Sequence, residues 1–277
     1  MPELATIAQA LAHARALGVD RLDAQLLIAH QLGRTRAWLL AHDDAPIADG
    51  AGLLAQLQRR ASGEPLAYLV GEREFHGLLL QVTPDVLIPR PDTETLVDWA
   101  LELLSDIDAP RMIDLGTGSG AIALALKHAC PRARVHASDT SAVALNVARH
   151  NGERLGLRID WHEGDWWQAL APALNFDLAV ANPPYIAPGD PHLQALRHEP
   201  ANALVAQRGG LADIERIVIG APVYLKPGAW LLIEHGFDQA EAVRERLLLA
   251  GFTAVDTRCD LAGRPRASGG KLVENPA

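Results

Sequence analysis

The residues in this chain best suited to chemistry are Asn182-Pro183-Pro184-Tyr185, directly after the apolar run Phe176-Asp177-Leu178-Ala179-Val180-Ala181. An apolar run of that length before a turn signal reads as a buried parallel strand. Two consecutive prolines end it, because neither donates a ladder hydrogen bond and both fix φ. Asn182 therefore sits at the carboxyl end of a strand, where open α/β sheets bind ligands. Its side-chain carbonyl and the Pro183 main-chain carbonyl are left to accept hydrogen bonds from a planar amino group. Tyr185 adds a flat face beside them. An Asn-Pro pair alone is an ordinary turn former; four such residues after a buried strand and downstream of a glycine loop read as a clamp.

That loop is Gly116-Thr117-Gly118-Ser119-Gly120, after the strand Met112-Ile113-Asp114-Leu115. Its spacing is G-x-G-x-G and not the dinucleotide G-x-G-x-x-G. Glycines let the backbone approach a ligand, and the helix that follows favours a carboxylate at its N-terminus. Asp139 ends the second strand, placed to accept from both ribose hydroxyls of an adenosine. A nicotinamide dinucleotide fits these two features alone. Adding the Asn-Pro-Pro-Tyr turn selects S-adenosylmethionine. Asp165 and Trp166 leave the third strand on the same edge, where they would hydrogen-bond an adenine amino group and stack on its ring. Trp167 reads equally well as packing.

The elements that must position these residues follow from periodicity. From Arg111 onward strand and helix alternate, as in parallel α/β domains. Strands are expected at 112–115, 135–138, 158–162, 176–181, 229–234 and, at the edge, 253–257. Helices are expected at 121–129, 142–154, 212–224 and 239–250. Upstream, Leu4, Ile7, Ala8, Leu11 and Ala14 recur at helical spacing, as do Leu22, Leu26, Ala29 and Leu32. A short helix holding Trp38, Leu39 and Leu40 and a fourth carrying Leu53, Leu54, Leu57 and Ala61 complete a bundle. The expected domains are a helical bundle at 1–67, a hairpin linker at 68–90 and an α/β domain at 91–277. Tyr68-Leu69-Val70 is read as strand, and Asp92 as the N-cap of a helix bearing Leu96, Val97, Ala100, Leu101 and Leu104.

Bulk properties narrow the partners. The 277 residues carry a formal charge of −9, which offers no basic footprint for nucleic acid. Cys130 and Cys259 have no metal-type spacing, so neither a disulfide framework nor a metal site is expected. The absence of a long uncharged apolar run or a signal-peptide pattern points to a cytoplasmic chain with no membrane contact, taken as a monomer.

Taken together, Asp114 to Gly120, Asp139, Gly164-Asp165-Trp166 and Asn182 to Tyr185 resemble class I S-adenosylmethionine-dependent methyltransferases of planar nitrogen. Asn-Pro-Pro-Tyr is shared among enzymes acting on glutamine, adenine-N6 and guanine-N2. Ile88-Pro89-Arg90-Pro91-Asp92-Thr93-Glu94 and the helical N-terminal domain narrow the match to the release-factor glutamine methyltransferase family (the PrmC or HemK type). Gly71-Glu72-Arg73-Glu74-Phe75, His198-Glu199-Pro200 and Glu234-His235-Gly236 are similar to segments of that family. The resemblance implies a Rossmann-like, mostly parallel seven-stranded sheet. It implies methylation of the side-chain nitrogen of the glutamine in the Gly-Gly-Gln loop of class 1 peptide release factors. It also implies that Asn182 to Tyr185 hold that glutamine, and that the bundle helps dock the factor. Rivals are a glutamine methyltransferase of a ribosomal protein, a nucleic-acid amino-methyltransferase and a non-catalytic S-adenosylmethionine-binding adaptor. Arg264 to Gly270 is poorer in β-formers than the family's closing strand, so no strand is assigned beyond Asp260.

Overall fold

The computed structural model describes residues 4–171 and 174–273, and it divides into two compact units at Glu72/Arg73. Residues 1–3 and 274–277, at the ends of the expected domains, lie outside the described residues.

The first unit is helical: α1 (Ile7–Ala16), α2 (Arg21–Leu32), α3 (Arg36–Ala41), α4 (Gly50–Ala61) and α5 (Leu66–Val70). Thr6, Asp20, Thr35 and Asp49 cap the first four, each side chain accepting a backbone N–H of the opening turn. Ile7, Ala10, Leu27, Ile28, Leu53 and Leu57 form its core. Two sequence expectations change here. Helix α2 turns Ala24, Leu27 and Ile28 inward and leaves Leu22 and Leu26 exposed, so the buried stripe is displaced from the expected one. Tyr68-Leu69-Val70 is helical, closed by Gly71 at φ +77°, and the hairpin begins afterwards as β1 (Glu72–Phe75) and β2 (Leu78–Gln81).

In the second unit a seven-stranded sheet runs β5-β4-β3-β6-β7-β9-β8. Its strands are β3 (Arg111–Leu115), β4 (Arg134–Asp139), β5 (Asp160–Glu163), β6 (Phe176–Ala181), β7 (Leu225–Glu234), β8 (Phe252–Cys259) and β9 (Pro265–Leu272). Only β9 is antiparallel to its neighbours. Helices α6 (Glu94–Leu103), α7 (Ala121–Ala129), α8 (Ala142–Leu155), α10 (Ala212–Tyr224) and α11 (Ala240–Leu249) belong to this unit, with a one-turn α9 (Gln207–Gly210). Two apolar clusters pack on the sheet. One gathers α6 and α7 residues such as Leu96, Trp99 and Leu124, the other α10 and α11 residues such as Ile217 and Leu247.

Strand β9 supplies the seventh strand in the tail that the sequence left unassigned. Its Gly269 and Gly270 are there for space: a Cβ at 269 would lie 2.3 Å from Leu232 Cδ2 and 3.1 Å from Trp99, and one at 270 would lie 2.9 Å from Phe252 Cβ. Packing therefore overrides the low β-propensity of these residues. Helix α6 also begins later than expected. Pro91–Thr93 forms a 3-10 turn, Thr93 occupies the cap position without a capping bond, and Asp92 instead pairs with Arg266 at 3.2 Å.

Candidate active site

The carboxyl ends of β3, β4 and β6 meet at the topological switch point, where β3 pairs with β4 on one side and β6 on the other. Gly116, Gly118 and Gly120 all adopt positive φ, at +74°, +55° and +84°, so the loop folds tightly into α7. Asp114 anchors it from beneath: Oδ2 accepts from Thr117 Oγ1 at 2.6 Å and from Ala123 N at 3.2 Å. Burial pushes the Asp114 carboxyl up to about 7, against the pull of those bonds.

This loop lines a solvent-open cavity together with Asp139, Trp166, Asn182, Pro184 and Thr93. Asp139 Oδ2 accepts from Gly118 N and Oδ1 from Ser141 N, both at 2.9 Å. The two bonds fix the carboxylate, and burial raises its pKa despite them. Each oxygen retains a further lone pair for a ligand hydroxyl. Trp166 sits at φ +47° with its ring against the loop, so close that a Cβ at Gly116 would lie 2.8 Å from Cζ3. Its Nε1 donates to Asp213 Oδ1 at 3.3 Å, while Asp165 pairs with Arg216. Asp165 is thus partly committed to protein, and Asp213 and Arg216 on α10 join the lining. Trp167 is packing: it is buried, stacks on Tyr224 and donates to Ile217 O at 2.8 Å.

A second cavity is lined by residues that include Leu87, Arg90, Asn182, Tyr185, Leu196 and Glu234. Asn182 lines both cavities. Its Nδ2 donates to Thr93 Oγ1 at 3.2 Å, which turns Oδ1 away from Thr93. Pro183 is buried, whereas Pro184 faces the first cavity and Tyr185 the second. Tyr185 Oη donates to Glu234 Oε1 at 3.3 Å, and burial and that carboxylate together push the phenol pKa well up. Gln239 Nε2 holds the Tyr185 main-chain oxygen at 3.0 Å.

Thr93, Glu199 and Glu234 have no individual role in the sequence reading, although each lies in a segment quoted there. Glu199 accepts from Ile88 N at 3.2 Å and pairs with Arg90, tying the segment before α6 to the loop after β6. Asp213 and Arg216 had no signal: they are two charges among several on an amphipathic helix. No group of three or more His, Cys, Asp or Glu among the described residues has metal-binding geometry.

These residues suit S-adenosylmethionine. Tight backbone turns and a helix N-terminus complement an amino-acid carboxylate, Asp139 complements a ribose, and Trp166 supplies a flat apolar face.

Comparison with known proteins follows this geometry. Residues 94–240 match the family model described as the methyltransferase small domain, and residues 4–71 match the PrmC N-terminal domain. A release factor glutamine methyltransferase of Bordetella pertussis is 53% identical over 259 residues, covering 92% of this chain and 96% of that protein. One from Burkholderia pseudomallei is 50% identical over 281 residues and covers 98% of each chain. A solved methyltransferase from Pyrococcus furiosus superposes with a TM-score of 0.54 at 16% identity, over 71% of this chain and 90% of that one, and shares the fold.

Proposed function

Because the chain belongs to the release factor glutamine methyltransferase family, we propose that Asn182, Pro183 and Tyr185 present a release-factor glutamine amide to a methyl donor held by Gly116–Gly120, Asp139 and Trp166. The enzyme is a protein-glutamine methyltransferase, and S-adenosylmethionine is its methyl donor. The finer reading is that the target is the glutamine of the Gly-Gly-Gln loop in class 1 factors. The observation that carries the site assignment is the position of Asn182, the one clamp residue lining both cavities.

When bound, S-adenosylmethionine supplies an electrophilic methyl group on a sulfonium. A carboxamide nitrogen is a poor nucleophile, since its lone pair is delocalised into the carbonyl. The chain's contribution is therefore orientation and charge stabilisation. Asn182 Oδ1 accepts one N–H of the glutamine and the Pro183 carbonyl accepts the other, which holds the nitrogen lone pair toward the donor. Both acceptors strengthen as positive charge develops on that nitrogen. Tyr185, fixed by Glu234 and Gln239, walls the cavity that receives the glutamine. The deprotonation follows methyl transfer, so a strong base is not required.

Residues 4–71 act in docking the factor, which is supported by the match to the PrmC N-terminal domain. If so, intact release factor should be methylated with a higher kcat/KM than a short Gly-Gly-Gln peptide. Equal values would count against a docking role. For the site, incubation with labelled S-adenosylmethionine should label purified release factor, and the label should vanish when the loop glutamine is changed to asparagine or alanine. Label on a ribosomal protein or nucleic acid instead would overturn the assignment.

A further inference from the structure

Asn182 must present its oxygen, and not its nitrogen, to the substrate amide, yet the two ends of a carboxamide have nearly the same shape. Something in the protein must distinguish them. The partner on the far side is Thr93 Oγ1, 3.2 Å from Asn182 Nδ2. A hydroxyl is ambiguous, able to donate or accept, so it sets the sense of the amide only if its own proton is committed elsewhere.

Glu234 commits it. Strands β6 and β7 pair Ala181, the last residue of β6, with Ile233, so Asn182 and Glu234 follow side by side. Glu234 is 1% exposed and Thr93 4%, so neither is satisfied by bulk water. The Thr93 hydroxyl interacts with the Glu234 carboxylate and stabilises its charged form. Glu234 Oε1 already accepts from Tyr185, while Oε2 is buried with no hydrogen-bond partner among the described residues. That oxygen is a waiting acceptor for the Thr93 proton. Arg266, itself paired with Asp92 and Asp260, favours the carboxylate; Asp92 opposes it.

We infer that Thr93, with Glu234 behind it, is a positioning residue that keeps the Asn182 side-chain oxygen facing the substrate. With the hydroxyl proton directed to Glu234, the Thr93 oxygen is left to accept from Asn182 Nδ2. Without the hydroxyl, the amide is free to turn over and present –NH2 to –NH2, which excludes the substrate hydrogen bond. The missing capping bond at the start of α6 has the same explanation: the side chain in that position is engaged with Asn182 instead.

This inference rests on Asn182 being the substrate acceptor, and the test separates the two. Thr93→Val, nearly isosteric, should lower kcat by about tenfold or more, with the dissociation constant for S-adenosylmethionine, measured by calorimetry, changing less than twofold. Thr93→Ser should keep most of the activity. In the wild type, kcat should rise with pH as Glu234 ionises near 7, and the valine variant should lose that limb. The groups facing Glu234 are Thr93, Tyr185, Arg266 and Asp92. If Thr93→Val fails to fold, Thr93→Ala carries the same comparison. A hydroxyl-free variant with a near-normal kcat and an unchanged pH limb, beside an inactive Asn182→Ala, would overturn the inference and leave the site assignment standing. Equal losses in the serine and valine variants would also overturn it. An active Asn182→Ala would bring down both.

Discussion

A few side chains set the chemistry by what they are prevented from doing. Asn182 is the clearest case, since Thr93 occupies its donor end and leaves its acceptor end for a ligand. A buried hydrogen bond that is lost costs ~1–3 kcal/mol, so Asn182→Ala should slow methyl transfer by roughly ten- to a hundredfold. A steady-state assay at saturating donor checks this. Asp139 is the residue proposed to hold the other partner, the methyl donor. Its carboxylate is pinned by two backbone N–H groups, so Asp139→Ala should weaken S-adenosylmethionine binding by roughly ten- to a hundredfold in calorimetry. An unchanged affinity would remove it from the ribose role. The strand-end positions of Asn182 and Asp139 were legible in the sequence, because the apolar runs before them end there. Thr93 and Glu234 were not legible as actors. Their roles depend on a contact between residues separated by most of the domain, and no local pattern encodes it.

At the scale of elements, legibility divides along the same line. Strands β3, β4 and β6 and the helices after the first two have strong apolar periodicity and clear stops, and the structure places them close to where the sequence does. The closing strand β9 could not be assigned from sequence because Gly269 and Gly270 look like turn residues until their surroundings are known. Gly269→Val should therefore destabilise the fold by overpacking against Leu232 and Trp99. About 1–3 kcal/mol or more is expected, read as a lower midpoint in urea with an unchanged slope. The short segment Tyr68-Leu69-Val70 was misread because a brief apolar run has no periodicity to separate helix from strand. In the glycine loop, Gly116→Ala should push on the Trp166 ring and strain a backbone at φ +74°. The expected result is weaker donor binding with little change in kcat at saturation.

The whole molecule pairs a helical unit ending at Glu72 with a methyltransferase unit beginning at Arg73, and two buried carboxyls contribute a pH-dependent share of its stability. Burial raises Glu234 from 4.5 to about 7 and Asp114 from 3.8 to about 7. Between those values the native state holds protons that the unfolded chain has released, so the native state binds more. Stability from these groups is therefore greatest at acid pH, falls as pH rises toward 7, and levels off above it. Glu234→Gln should flatten the fall in melting temperature between about pH 4.5 and 7, and an unaltered slope would contradict its burial as an acid. The central claim concerns whose nitrogen reaches Asn182. The most direct measurement is transfer of label from S-adenosylmethionine to intact release factor by the wild type and by Asn182→Ala, with the loop glutamine present or replaced by asparagine. Label should appear only on the glutamine-bearing factor, and Asn182→Ala should transfer it roughly ten- to a hundredfold more slowly than the wild type. Undiminished labelling by Asn182→Ala, or of the factor lacking that glutamine, would contradict it.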